Sequence, residues 1–300
     1  MKKRILGAIG VAALVAGIAR AEVVEITGEF AAPSREASLL RSISIDRIGG
    51  QDGSALARAI EQSLSGTHFD LMGGGRGNAE GSLSGGITTG VDESPFKKRE
   101  KKCVEKNDKG KCVKEEDVEL RCRRRIVTLK ADLRILRNRD GRIVYSATKP
   151  FSQDTSWCEG QGGRPAPVED VIADGVRTLG AQVRSDIAPT VSTYRVRVRE
   201  SDKGMSKDQA KRFKDAIKLT KRDVRGACAG WDALAHELPG NPSISFDLGL
   251  CAEQRGDYAK ALDFYHAAQR AGAQEGGEGA DRAIRLIAGR EDAAIRARRR

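Results

Sequence analysis

Ala227, Trp231 and Leu234 return 34 residues later as Ala261, Tyr265 and Ala268. Small and bulky residues alternating at helical spacing in two successive segments face the same packing problem. That repetition commits the C-terminal third to stacked helix pairs. Asn241-Pro242 starts a helix that places Ile244, Leu248 and Cys251 on one face. Gly256-Asp257-Tyr258 makes the turn, and Ala261, Leu262, Tyr265 and Ala268 form the facing stripe. Leu248-Gly249 precedes the second copy, and Pro239 closes the first.

The N-terminus reads as an export signal. Lys2, Lys3 and Arg4 form the charged region, Ile5 to Ile18 the apolar one, and Ala19-Arg20-Ala21 an A-x-A cleavage site. The 14 apolar residues fall short of the ~20 that a spanning helix needs. No cysteine stands at the cleavage point, so a lipid anchor is not expected, and no membrane span remains after cleavage. A periplasmic or secreted chain is the expectation. Losing Lys2, Lys3, Arg4 and Arg20 takes the formal charge from +11 to +7, which favours anionic lipid, lipopolysaccharide, cell-wall polymer or acidic protein faces as partners. Aromatic residues make up 4% of the chain, and no stacking motif argues for nucleic acid.

Six cysteines in an exported chain point to disulfides, with 15 connectivities open in principle. Hairpin symmetry selects among them. Arg139-Asp140-Gly141 reads as a three-residue loop with Gly141 left-handed. Counting outward from Asp140 sets Ile135 opposite Tyr145, Leu133 opposite Ala147, Leu129 opposite Phe151 and Cys122 opposite Cys158. Cys103 and Cys112 flank Asn107-Asp108 in the same way, which leaves Cys228 with Cys251.

Further elements follow from periodicity. Strands are expected at Val23–Phe30, Leu39–Ile48, His68–Met72 and Ala79–Thr88. Ser54 is the expected cap of a helix bearing Leu56, Ala59, Ile60 and Leu64. Val168, Val171, Ile172, Val176, Leu179, Val183 and Ile187 stripe a helix that Pro189 stops, and Thr193–Arg199 alternates as a half-buried strand. The fold class is thus an α/β mixed-sheet domain over 22–200, read as one layer, with a charged disulfide hairpin at 96–125. An all-α domain follows over 205–300, after a linker at Ser201–Gly204.

The Leu248-Gly249 pair and the 34-residue spacing resemble the tetratricopeptide repeat, which implies a protein-binding module whose concave face comes from the first helix of each pair. The stretch Leu40 to Ile45, the helix Leu56–Leu64, Phe69-Asp70-Leu71, Ala79–Gly85 and Asp140 to Val144 are similar to the domain of curli-secretion-type outer-membrane lipoproteins, over roughly 39–198. That likeness implies assembly or export work at the outer membrane and brings no catalytic residues. The chain departs from it in lacking a lipid-bearing cysteine. Its counterpart of a membrane-crossing hairpin, Phe96–Arg125, is too charged to face lipid, where each unpaired charge costs ~2–4 kcal/mol.

Chemistry-bearing patterns are few. Gly73–Gly77 with Arg76 matches no phosphate-loop spacing and reads as a turn. Glu105, Asn107, Gly110 and Glu116 echo a calcium loop, but Lys109 sits where an oxygen ligand is needed. The cysteines lack paired C-x-x-C spacing, and His68, His236 and His266 adjoin no nucleophile signature. No catalytic, metal or cofactor residue is nominated. Lys97, Lys98, Lys101 and Lys102 form the candidate anion-facing segment, against the plainer reading of a solvated charge run. The expectation is a non-enzymatic exported scaffold or adaptor for envelope protein partners. An envelope enzyme or regulatory subunit acting on an anionic polymer, and a small-molecule binding module, are the alternatives. A deep pocket with convergent His, Asp or Glu side chains would favour the enzyme.

Overall fold

The computed structural model describes residues 22–72, 79–160 and 165–299. The signal segment and the glycine run at 73–77 lie outside them. An N-terminal mixed α/β sheet region is followed by a helical region of five helices. The elements are β1 (Val23–Phe30), α1 (Arg35–Ser38), β2 (Ser42–Gly49), α2 (Gly53–Leu64), β3 (Asp70–Met72), β4 (Gly81–Lys106), β5 (Cys112–Arg137), β6 (Arg142–Cys158), α3 (Val168–Ile187), β7 (Thr190–Arg197), α4 (Lys207–Leu219), α5 (Val224–Glu237), α6 (Pro242–Gln254), α7 (Tyr258–Arg270) and α8 (Glu275–Arg298). The described residues divide into two compact units, one of 22–28 with 193–284 and one drawn from 29–192 with 285–299.

In the second unit the strand order is β3-β2-β4-β5-β6, with β2 parallel to both neighbours and β4, β5 and β6 an antiparallel meander. One face of the sheet is apolar because alternate residues of β5, Val127, Leu129, Ala131, Leu133 and Ile135, point the same way. They share a core with Leu56, Ile60 and Leu64 of α2 and with Val176, Leu179, Val183 and Ile187 of α3. The two helices pack closely because α3 carries Gly180, where a Cβ would lie 2.8 Å from the Ala59 carbonyl oxygen. The C-terminal part of α8 belongs to this unit. Arg35 forks onto Asp292, donating through Nε to Oδ2 at 3.0 Å and through Nη2 to Oδ1 at 2.7 Å. Arg296 pairs with Glu29, and Arg285 lies over the Phe30 ring at 5.4 Å.

Three local expectations change. The sheet is not one layer containing every strand, since among the described residues β1 and β7 pair only with each other. The buried side of that ribbon, Val24 and Ile26, belongs to the core of the helical unit. Helix α2 begins at Gly53, not after a Ser54 cap. Asp52 holds the cap position, but its carboxylate accepts the Thr89 hydroxyl at 2.5 Å instead of capping. A Cβ at position 53 would meet the Ile48 carbonyl oxygen at 2.0 Å, so only glycine fits there. The β5–β6 loop runs from Asn138 to Gly141, one residue longer than expected, with Gly141 at φ 67°. An irregularity between Ile135 and Leu136 absorbs the difference, so Ile135↔Tyr145, Leu133↔Ala147, Leu129↔Phe151 and Cys122↔Cys158 are register partners.

Candidate functional site

The helical unit is best understood from Tyr265, which is fully buried on α7. A Cβ at Gly249 of α6 would come within 2.5 Å of its ring, and one at Gly279 of α8 within 2.6 Å. Two glycines therefore make the slot. The phenol at its end meets Glu253, also fully buried. Oε1 of Glu253 accepts from the Tyr194 hydroxyl and from Arg282 Nε, both at 2.5 Å. Oε2 accepts from the Tyr265 hydroxyl and from Arg282 Nη2, the latter at 2.7 Å. Burial raises the pKa of both tyrosines, which keeps them donors. The Arg282 guanidinium also lies 5.5 Å from the Tyr265 ring centroid. A buried ion pair this well hydrogen-bonded fixes a geometry more than it adds stability.

Every repeat-core residue named from the sequence is inside: Ala227, Trp231 and Leu234 on α5, Leu248 and Gly249 on α6, and Ala261, Tyr265 and Ala268 on α7. Cys228–Cys251 joins α5 to α6. These residues build the unit and cannot touch a partner. Helix α6 is buried from Ser243 through Glu253. The expected partner-facing surface from the first helix of each pair therefore lacks α6, whereas α4 exposes Lys207, Lys211, Arg212, Lys214 and Lys218.

A second candidate lies in the other unit. Strand β2 pairs with β4 only over Gly81–Gly86, and β6 pairs with β5 only as far as Cys122. From Lys97 to Lys106, and from Cys112 to Arg121, β4 and β5 continue as a two-stranded ribbon. Ten residues at about 3.3 Å each carry this arm about 30 Å past the sheet. Disulfides staple both of its ends, Cys103–Cys112 at the tip and Cys122–Cys158 at the base. The four candidate lysines do not form one patch. Strand alternation puts Lys97 and Lys101 on one face and Lys98 and Lys102 on the other. Lys97 donates to Glu119 at 2.7 Å, a bond that raises its pKa. Lys98 stands 3.8 Å from Glu100, and Lys101 and Lys102 have no ion-pair partner among the described residues.

At the base of the arm is a cleft of about 560 Å³ lined by Pro95, Phe96, Lys97, Arg121, Arg123 and Trp157, with the Cys122 end of the base disulfide and Glu159. Sequence periodicity carries no sign of it, because its two aromatic residues, on different strands, are 61 residues apart and meet only through the β5 register. Its lining is aromatic and mostly cationic, with three basic side chains against Glu159, a balance suited to holding an anionic ring. His68 Nε2 shares a hydrogen bond with the Ser38 carbonyl at 2.7 Å, His236 is exposed and His266 half-buried. Among the described residues no three His, Cys, Asp or Glu side chains gather as metal ligands would. No helix among them is long and apolar enough to cross a membrane.

No protein-family description matches the chain, and no curated protein does. Among solved structures it is similar to the PelC dodecamer from Paraburkholderia phytofirmans, at 15% identity over 55% of this chain and 98% of that one, with a TM-score of 0.29. It is also similar to a minor lipoprotein from Acinetobacter baumannii, at 11% identity over 48% of this chain and 88% of that one, with a TM-score of 0.25. Likeness at this level does not say what the chain does. Its three disulfides fit an exported protein.

Proposed function

We propose that this chain is an exported, non-enzymatic adaptor in envelope assembly or secretion, and that the stapled arm is its main contact surface. The observation that carries the reading is the arm itself: a long ribbon whose two edges have no strand neighbour among the described residues, anchored by one disulfide and closed by another. An isolated two-stranded ribbon is at best marginal in water, so such a projection calls for a neighbour. The helical unit supports the same reading in a different way. Its repeat-core residues are spent on packing, so any contact falls to exposed positions such as the cations of α4.

The test is to shorten the arm by replacing Lys98–Leu120 with Asn-Gly, a turn that suits the Lys97–Arg121 pair. In-cell cross-linking should then lose the envelope proteins that the full chain captures, while an α4 variant with Lys207, Lys211 and Lys214 changed to Gln loses fewer. Unchanged capture by the short-armed chain would overturn the reading. The cleft at the base favours one alternative, binding of a small anionic ring. A ligand that protects Trp157 fluorescence in the short-armed chain, with cross-linking unaffected, would establish that alternative instead.

A further inference from the structure

The three disulfides differ in how far solvent can reach them. Cys228 and Cys251 are buried in the helical unit at 7% and 0% exposure, and Cys122 at the base of the arm at 3%. Cys103 is exposed and Cys112 half-buried, at the free end of the ribbon. The bridges also differ in what holds them shut. Cys122–Cys158 joins β5 to β6, whose register runs unbroken from Cys122↔Cys158 to Ile135↔Tyr145. Cys103–Cys112 spans a sequence separation of 9, on strands whose pairing is already irregular between Cys103 and Lys106.

Charge distinguishes the two sulfurs of the tip bridge. Cys112 has Lys106 as its register partner and Lys111 as its chain neighbour. Neither lysine has an ion-pair partner among the described residues. Cys103 stands opposite Glu115 and next to Lys102, charges that offset each other. Nearby cations favour a thiolate, and a favoured thiolate leaves more readily. Cys112 is therefore the better leaving group, and exposure makes Cys103 the sulfur that an incoming thiolate reaches.

We infer that Cys103–Cys112 is a thiol-exchange site, opened by a dithiol and closed again by the same reaction in reverse. One thiolate of the dithiol attacks Cys103 Sγ. The Cys103–Cys112 bond breaks, and its electron pair goes to Cys112 Sγ, held beside Lys106 and Lys111. The second thiol of the dithiol loses its proton and attacks the dithiol's own sulfur in the mixed disulfide, which releases Cys103 as a thiolate. The dithiol departs as a disulfide, and the arm has gained two electrons and the dithiol's two protons. The short segment between the cysteines keeps the released thiols within reach of each other, so closure stays intramolecular. Opening unties the free end of a ribbon that is marginal without support, which makes the order of the tip depend on the surrounding thiol balance. This chemistry belongs to the tip itself and holds whatever the arm contacts.

Timed reduction of the full oxidised chain by dithiothreitol, followed by rapid alkylation and peptide mapping, provides the test. Cys103 and Cys112 should become alkylated about tenfold or more faster than the four cysteines of the other two bridges. The far-UV spectrum should stay unchanged meanwhile, which separates exchange in the folded chain from reduction after unfolding. Glutathione, a monothiol that stops at the mixed disulfide, should be trapped on Cys103 with Cys112 alkylated. K106Q/K111Q should slow opening by about threefold or more, because the leaving thiolate loses its cations. Trypsin should cut within 101–116 faster once the tip is open. Three bridges that open together, another bridge that opens first, or glutathione found on Cys112 would each overturn the inference. So would a K106Q/K111Q chain that opens as fast as the parent, or an opened tip as resistant to trypsin as the closed one.

Discussion

Tyr265 shows how a single side chain can set the spacing of three helices, because its ring occupies room that Gly249 and Gly279 leave open. Gly249→Ala puts a methyl group into that ring. The expected cost is about 1–3 kcal/mol, read as a lowered urea midpoint with unchanged slope. Asp247, two residues earlier, is wholly buried. Its Oδ1 accepts the Arg199 amide at 2.8 Å, and its Oδ2 has no partner among the described residues. Burial, the largest cause, raises its pKa well above the usual carboxylate range. A carboxyl whose pKa is higher folded than unfolded favours the fold below its unfolded pKa. That contribution is lost as pH rises through the folded pKa. Asp247→Asn should therefore raise Tm near neutral pH and leave it nearly unchanged near pH ~4, where the parent carboxyl is protonated. A Tm difference that does not depend on pH would show that Asp247 is not buried in its neutral form.

For the arm, the consequential bond is the base disulfide. Cys122–Cys158 spans 36 residues, and in the chain-entropy account such a closure contributes about 3–4 kcal/mol. C122S/C158S should lower the unfolding midpoint accordingly, whereas C103S/C112S, closing 9 residues, should cost less and loosen the tip alone. Hydrogen exchange on Lys101–Glu116 distinguishes them, rising in the tip variant without change in the sheet. The register around both cysteines was legible because side-chain period and turn position are both written locally. Gly141 marks the turn, and counting outward from it needs only that no net slip accumulates. The helix stripes were legible for the same reason. The partner of β1 was not, since alternation in Val23–Phe30 tells that one face is buried but not which strand lies beside it. The Glu253–Arg282 pair was hidden too. Its members are 29 residues apart, and a glutamate within an otherwise buried helix is the one mark that something must neutralise it. The candidate anion-facing lysines are adjacent in sequence, yet a strand sends neighbours to opposite faces.

Taken whole, the chain's two units are interleaved in sequence, and residues 285–299 belong with 29–192. Cutting at the Ser201–Gly204 linker therefore does not separate one domain from another. Such a fragment lacks Asp292, the buried acceptor of Arg35, along with Arg296 on Glu29 and Arg299, whose Nη1 donates to the Leu39 carbonyl at 2.7 Å. Removing 285–300 alone should leave Arg35 and Glu29 without these partners. Limited proteolysis should then cut within 29–41 at a rate the full chain does not show. Equal protection of both chains would mean that the α8 end is dispensable. The same interleaving governs timing. A polypeptide delivered from its N-terminus, by ribosome or by export channel, presents Glu29 to Ser192 long before the segment that completes their unit. Until the α8 end emerges, the early sheet waits with Arg35 unmatched and exposed to proteases, and a chain stalled midway is recognisably unfinished.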